Sequence, residues 1–214
     1  MPNVPARRQT DAVFKTASVS FAARYNRCAM PQLLRFASQD LPPDIKCQIL
    51  SFLRIQWPEG FMGENLYRDW ISRPEYQPVH FILVEQGILI AHTEVLRKDL
   101  PHAGETYRVI GLSGVFTYPA FRRQGYGRHI AEAGTQYIDA SDADAGIFHC
   151  DSYLVGFYSA CGWTPLLNAR TYVTTKDGYV LSDEVMIMRF LSEKGKRGRA
   201  AFETEPVYFG ESTW

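Results

Sequence analysis

Cysteine is sparse and scattered in this sequence. Cys28, Cys47, Cys150 and Cys161 form no C-x-x-C pair, and the five histidines do not cluster at zinc-ligand spacing. A disulfide scaffold, a structural zinc site or any other metal centre is therefore not expected, and a reducing cytosol is the expected compartment. Net charge is also lacking: Lys+Arg and Asp+Glu both total 23. That balance argues against a protein whose main partner is the phosphate backbone of a nucleic acid, which favours a visible basic excess. No apolar run approaches the roughly 20 residues of a membrane-spanning helix. The segment from Met1 to Arg8 has no apolar core of a secretion signal, so a cytoplasmic protein without a membrane partner is expected. Internal repeats and low-complexity tracts are missing too.

What is present is enough apolar material for one packed domain: 46% hydrophobic and 14% aromatic residues in 214. Residues 1–32 carry scattered Arg and Pro without periodicity and read as an N-terminal extension, 33–191 as the domain, and 192–214 as a tail. Within the domain, 33–37 reads as a strand and Pro43 opens a helix running to about Gln56, with Ile45, Ile49, Leu50 and Leu53 on one face. The pattern predicts a second short helix over 64–71. Two apolar runs flank Gln86-Gly87, a hairpin signal. A strand over 109–117, a helix over 123–139, a strand over 146–150, a helix over 153–161, a strand around Tyr172 and a last strand over 185–191 complete a mixed α/β order. Its first strands form a meander and its later ones are joined by helical crossovers.

The chemistry concentrates where the strand ending at Thr117 turns into the following helix, Val115-Phe-Thr-Tyr-Pro-Ala-Phe-Arg-Arg-Gln-Gly-Tyr-Gly-Arg128. Gly125 and Gly127 remove side chains, the first helical turn leaves N–H donors free, and Arg122, Arg123 and Arg128 add positive charge. Together these make an anion site suited to a diphosphate. A glycine pair at such a turn also serves tight packing alone. A dinucleotide fingerprint is excluded because Ile130 stands at the third glycine position, and a P-loop because no Gly-Lys-Ser/Thr tripeptide occurs. Glu94 on the third strand and His149 on the fifth are candidate general bases from residue type, His149 having the ordinary pKa range for the task. Ser113 cannot act alone as a base at neutral pH.

The arginine-glycine turn, with Arg122, Gly125 and Gly127 matching R/Q-x-x-G-x-G/A, and a later Tyr158, Gly162 and Trp163 matching Y-x-x-x-G-F/W, together resemble the GNAT superfamily of acyl-CoA-dependent N-acetyltransferases. The resemblance covers roughly residues 33–191. It implies an α/β GNAT fold, a central twisted mixed β-sheet with splayed fourth and fifth strands flanked by helices. It also implies acetyl-CoA as co-substrate, its pantetheine pairing with the backbone of Val115, Phe116 and Thr117 and its pyrophosphate on the turn from Arg123 through Gln124, Gly125, Tyr126 and Gly127 to Arg128. Tyr158 is implied as the acid near the cofactor sulfur. Further features are similar to the aminoglycoside 2'-N-acetyltransferase branch: the run from Leu34 to Ile45, the segment Gly87-Ile-Leu-Ile-Ala-His, and the ending Tyr208-Phe-Gly-Glu-Ser-Thr-Trp214. By that resemblance Glu211 and Trp214, and after them Glu59, Glu64 and Asp183, contact a small cationic amine acceptor, with the tail closing the acceptor site.

The sequence departs from that branch at Ser113, where the branch carries a glutamate, and in the basic residues Lys194, Lys196, Arg197 and Arg199 of the tail. Ser113 is the best support for the other class of function, a GNAT-fold module that binds acyl-CoA as sensor or scaffold without turnover. A homodimer is left open. Neutrality itself is a cancellation: residues 106–138, containing the glycine turn, hold four basic groups and one acidic. Residues 59–105 hold four and eight, and 139–191 three and seven. A basic cofactor turn between acidic acceptor-facing segments fits an enzyme that joins an anionic co-substrate to a cationic amine.

Overall fold

The computed structural model describes residues 31–214. Its elements are β1 (Gln32–Ala37), α1 (Pro43–Gln56), β2 (Val79–Glu85), β3 (Ile88–His102), β4 (Glu105–Thr117), α2 (Tyr126–Asp139), β5 (Ala145–Cys150), α3 (Val155–Ala160), β6 (Thr164–Leu166), β7 (Thr171–Thr175), β8 (Gly178–Leu181), β9 (Val185–Phe190), α4 (Glu193–Thr204) and β10 (Val207–Gly210). Seven strands form one mixed sheet in the order β1-β2-β3-β4-β5-β9-β6, and β10-β7-β8 form a second, smaller one. The expected extension over residues 1–32 lies outside the described residues except at its last two positions.

The first four strands run antiparallel; tight turns join β2 to β3 and β3 to β4, while β1 reaches β2 through α1 and the loop after it. Gln86-Gly87 makes the expected hairpin turn, and a second one at Ala103-Gly104, not read from the sequence, lengthens β3 and β4 well beyond the expected strand over 109–117. β4 and β5 run parallel, linked by α2, and pair only at Val109 with Ala145 and Ile110 with Gly146. Beyond that point they diverge, which is the implied splay.

Helices cover both faces. α1 buries Ile45, Ile49, Leu50, Phe52 and Leu53 against Ile82, Val84, Leu89 and Phe116. α2 buries Ile130, Ala131 and Ile138 on the opposite face. Gly134 lets α2 approach closely, since a Cβ there would lie 2.6 Å from Leu112 Cδ2. A third apolar cluster joins α4 and β10 to β4, β5 and β9 around Phe202, Val207 and Phe209.

Two expectations are corrected. The helix over 64–71 does not form: 3₁₀ turns at Pro58–Phe61 and Gly63–Asn65 lead into irregular loop. Leu66 and Tyr67 stay exposed, so the segment has no continuous apolar stripe to bury. The helix expected from 123 starts at Tyr126, because Arg123 and Gly125 adopt positive φ (62° and 81°), which no α-helix accommodates. The expected strand around Tyr172 forms as β7 and lies in the smaller sheet, paired in parallel with β10.

Residues 192–214 fold onto the domain. Ser192 caps α4 by accepting from the Gly195 N–H at 3.0 Å. The basic side chains of α4 engage locally: Lys194 with Glu105, Lys196 with Glu193 and Arg199 with Glu203. No helix of the described residues is long and apolar enough to cross a membrane.

Candidate functional site

Two cavities open on either side of the splayed part of β4 and meet there. The first, about 500 Å³, is lined by Val115, Phe116, Thr117, Arg122, Arg123, Gly125, Gly127 and Arg128, together with Gln56, Trp57 and the α3 side chains Phe157 and Tyr158. Gln124 and Tyr126 do not line it; Tyr126 packs toward the core. The backbone explains why this end attracts an anion. The first helical hydrogen bond of α2 runs from the His129 N–H to the Gly125 carbonyl at 3.0 Å, leaving the N–H groups of Tyr126, Gly127 and Arg128 without helical acceptors. Arg122 Nε donates to the Thr117 carbonyl at 3.0 Å, which ties the turn to the end of β4. Arg128 is held by Glu132 at 2.7 Å and offers less free charge than its neighbours.

The second cavity, about 440 Å³, is lined by Glu59, Phe61, Arg68, Glu94, Ser113, Gly114, Val115, His149, Tyr158, Glu184, Thr213 and Trp214 among others. Trp57, Val115 and Tyr158 line both cavities, so a group reaching down the first meets a group bound in the second at Val115 and Tyr158. Tyr158 is buried, edge-on to Phe148 and Phe157, and burial raises its pKa. It stays a phenol, able to donate but not to act as a base. The Gly162-Trp163 part of the motif closes α3: Gly162 takes φ 84°, and Trp163 Nε1 donates to Thr135 Oγ1 at 2.8 Å.

A bulge in β4 shapes the junction. Glu94 pairs with Ser113 and His92 with Phe116, so Gly114 and Val115 both face Thr93 and drop out of the ladder. Gly114 takes φ 55° there. Its carbonyl accepts from His92 Nδ1–H at 2.9 Å. A carbonyl only accepts, which fixes the tautomer of His92. Its Nε2 then accepts from His80 Nδ1–H at 3.1 Å, and His80 Nε2 accepts from the Ser38 hydroxyl at 2.8 Å. Burial keeps both rings neutral, with pKa values lowered to about 4 for His80 and about 3 for His92. In a planar trans peptide the C=O and N–H point in opposite directions. The bond from His92 therefore turns the Val115 N–H away from His92 and toward the splay.

Of the candidate bases, Glu94 has the chemistry. Its carboxyl is buried, Ser72 Oγ donates to Oε1 at 2.6 Å, and Oε2 has no hydrogen-bond partner. Burial raises its pKa to about 7, opposed by the Ser72 hydrogen bond and by Arg68. His80 Nδ1 lies 3.7 Å from Oε2; because His80 is neutral where Glu94 ionises, the two are not an ion pair. His149 lines the same cavity, but its Nε2 is engaged with Thr171 Oγ1 at 2.9 Å and burial lowers its pKa to about 3, so it is a poor proton acceptor. Ser113 lines the cavity directly across the ladder from Glu94.

The expected acceptor contacts divide. Glu59 and Trp214 line the second cavity. Trp214 reaches into the splay, its backbone oxygen accepting from the His149 N–H at 2.9 Å. Glu211 does not line the cavity; it pairs with Arg73 at 2.6 Å on the surface. Glu64 projects from an exposed 3₁₀ turn, and Asp183 is exposed beside Glu184, the residue that does face the cavity. Sequence reasoning missed Glu184 by one position and missed Arg68 altogether. The signal for Arg68 was a lone arginine in an aromatic segment, Phe61 to Trp70.

The family described as acetyltransferase (GNAT) domain matches residues 51–166. No curated protein matches the chain. Among solved structures, Escherichia coli ElaA is similar at 14% identity, covering 75% of this chain and 99% of that one with a TM-score of 0.54. An acetyltransferase from Streptococcus agalactiae is similar at 16% identity (77% and 100% covered, TM-score 0.52). So is an acyl-CoA N-acyltransferase from Pseudomonas aeruginosa at 14% (74% and 99%, TM-score 0.51). At such identities the likeness is one of fold.

Proposed function

The chain belongs to the GNAT acetyltransferase family, whose members use acyl-CoA as co-substrate, and on that premise we propose that it transfers an acetyl group from acetyl-CoA to a primary amine. The observation that carries this reading is the meeting of two cavities at Val115 and Tyr158, one ringed by free amides and arginines, the other by Glu94. The pyrophosphate binds on the Gly125–Arg128 turn and pantetheine extends along Val115, Phe116 and Thr117, where β4 has no neighbour on the β5 side. The amine, held in the second cavity, loses its proton to Glu94 and attacks the thioester carbonyl. The Val115 N–H stabilises the resulting oxyanion. Tyr158 donates toward the departing thiolate, and its raised pKa keeps that proton in place at neutral pH. Holding both reactants in one cleft supplies much of the rate.

Aminoglycosides are the acceptors to which the tail resemblance points. They enter the test as one panel: thiol release from acetyl-CoA against amines that include aminoglycosides, polyamines, amino acids and aryl-alkyl amines. Acetylated product from any of them supports the reading. Tight CoA binding with only slow hydrolysis across the whole library overturns it in favour of a non-catalytic acyl-CoA-binding module. Glu94 beside Ser113 is what favours the enzyme, since it returns a carboxylate to the place where that alternative drew its support.

A further inference from the structure

The acceptor cavity holds a cation that the acetyl-transfer mechanism does not use. The Arg68 guanidinium carbon lies 3.9 Å from the ring centre of Phe61 and 4.5 Å from that of Trp70, so two aromatic faces fix its plane. Arg54 donates to the Arg68 carbonyl at 2.9 Å and anchors the loop that carries it. Among the described residues Arg68 enters no ion pair, and its Nε is buried without a hydrogen-bond partner. Glu94 lines the same cavity, and its Oε2 is likewise buried and unpartnered. Buried polar groups in folded proteins are paired as a rule, so two side chains of opposite charge that line one cavity of about 440 Å³, each with an unpaired buried atom, describe the ligand that completes them.

We propose that the acceptor is a small amine that also carries an oxyanion, a carboxylate being the simplest, and that Arg68 binds this anion while Glu94 receives the amine proton. This deepens the acetyl-transfer reading and rests on it. Arg68 is a binding residue in this scheme and takes no part in bond making. Its planar fork matches the two oxygens of a carboxylate. Its separation from Glu94 matters too: direct pairing would hold the glutamate ionised and deprive it of basicity, whereas a ligand that spans both groups neutralises the arginine and leaves the carboxyl free to take a proton. A polycation without an anionic group would set positive charge against Arg68 and leave its Nε unsatisfied.

The test compares amines that differ only by a carboxylate, phenylalanine against phenethylamine and lysine against cadaverine, in wild type, Arg68→Gln and Arg68→Lys. Charge-assisted hydrogen bonds of this kind correspond to about 10- to 100-fold in kcat/KM. Wild type is expected to favour the carboxylate member of a pair by that factor, Arg68→Gln to lose the preference by losing the carboxylate member alone, and Arg68→Lys to keep part of it. KM for acetyl-CoA should be unchanged throughout, which shows that the variants are folded. Equal kcat/KM within both pairs, or an Arg68→Gln variant that slows both members alike, overturns the proposal. Thermal shift with CoA present separates this from failure of the acetyl-transfer reading. If no amine is acetylated, carboxylate-bearing members that stabilise wild type but not Arg68→Gln uphold the Arg68 site, and stabilisation equal within both pairs removes it.

Discussion

Replacing Glu94 by Gln tests the central assignment through two effects of opposite sign. The carboxyl is buried, with its pKa raised from 4.5 to about 7. A carboxyl whose folded pKa lies above its unfolded value favours folding in its protonated form. That contribution is complete below about pH 4.5 and is lost as pH rises through about 7. At 1.36 kcal/mol per unit, the ionised Glu94 at pH 8 costs about 3 kcal/mol relative to an uncharged residue of the same shape. Gln keeps the oxygen that accepts from Ser72 Oγ, so Glu94→Gln should be more stable than wild type at pH 8 by up to that amount. The difference should shrink to near zero by pH 4.5, as read from urea unfolding at both pH values. The same substitution removes the base. Wild-type kcat/KM should rise with pH to a plateau above about 7, and in Glu94→Gln that limb should vanish while the rate falls by roughly 10² to 10⁴. A variant that keeps the limb, or that is less stable than wild type at pH 8, would refute the assignment of Glu94 as a desolvated general base.

Tyr158→Phe should lower kcat by about tenfold or more with KM for acetyl-CoA unchanged, since only a hydrogen bond to the thiolate is removed; steady-state kinetics with both substrates varied checks this, and an unaltered kcat removes the role. Gly125→Ala puts a Cβ at φ 81°, a strain of about 1 kcal/mol that falls on the turn whose amides are free. CoA affinity by calorimetry should weaken several-fold while Tm drops only slightly. His92→Phe deletes the donor that holds the Gly114 carbonyl, and should lower kcat by about tenfold to a hundredfold through misorientation of the Val115 N–H while leaving CoA binding near wild type. Gly195→Ala would bring a Cβ to within 2.0 Å of the Asp144 carbonyl oxygen. It should loosen α4 from the sheet, seen as faster amide exchange across residues 193–210.

The sequence was most readable where one local feature decides the structure. The period of Ile45, Ile49, Leu50 and Leu53 predicts α1 and its buried face, and Gln86-Gly87 predicts the first hairpin. Ala103-Gly104 was missed because an alanine at positive φ (50°) is an unusual first residue of a tight turn. The loop from Pro58 to Pro78 misled because it carries helix-compatible residues with no apolar stripe. Its shape is set by Phe61 and Ile71 reaching into the α1 core, and Arg68 is positioned by that loop and its anchor on Arg54 of α1. The glycine turn is legible because a glycine at φ 81° and a helix start that frees three amides are local features of the chain. Glu94, Arg68 and Glu184 come together from three distant segments, and no spacing in the chain encodes their meeting.

Ser113 weighs against catalysis only if the carboxylate must stand at that place in β4, as the family resemblance implies. In an antiparallel ladder, side chains directly opposite on neighbouring strands share a face and lie about 5 Å apart at Cβ, and Glu94 is the residue opposite Ser113. A carboxylate on β3 therefore reaches the same cavity as one on β4, and a small residue at position 113 leaves it room. The environment differs in a useful way: on β3 the carboxyl stands beside His80 of β2 and receives Ser72 from the loop between α1 and β2. In the proposed mechanism the base thus stands on β3, and the oxyanion donor on a bulge pinned to the same strand through His92. If the two carboxylate positions are equivalent, Glu94→Gln combined with Ser113→Glu should recover part of the pH-dependent rate lost in the single variant. No recovery in a folded double variant would show that the neighbours of Glu94, and not the place of the carboxylate alone, set its basicity.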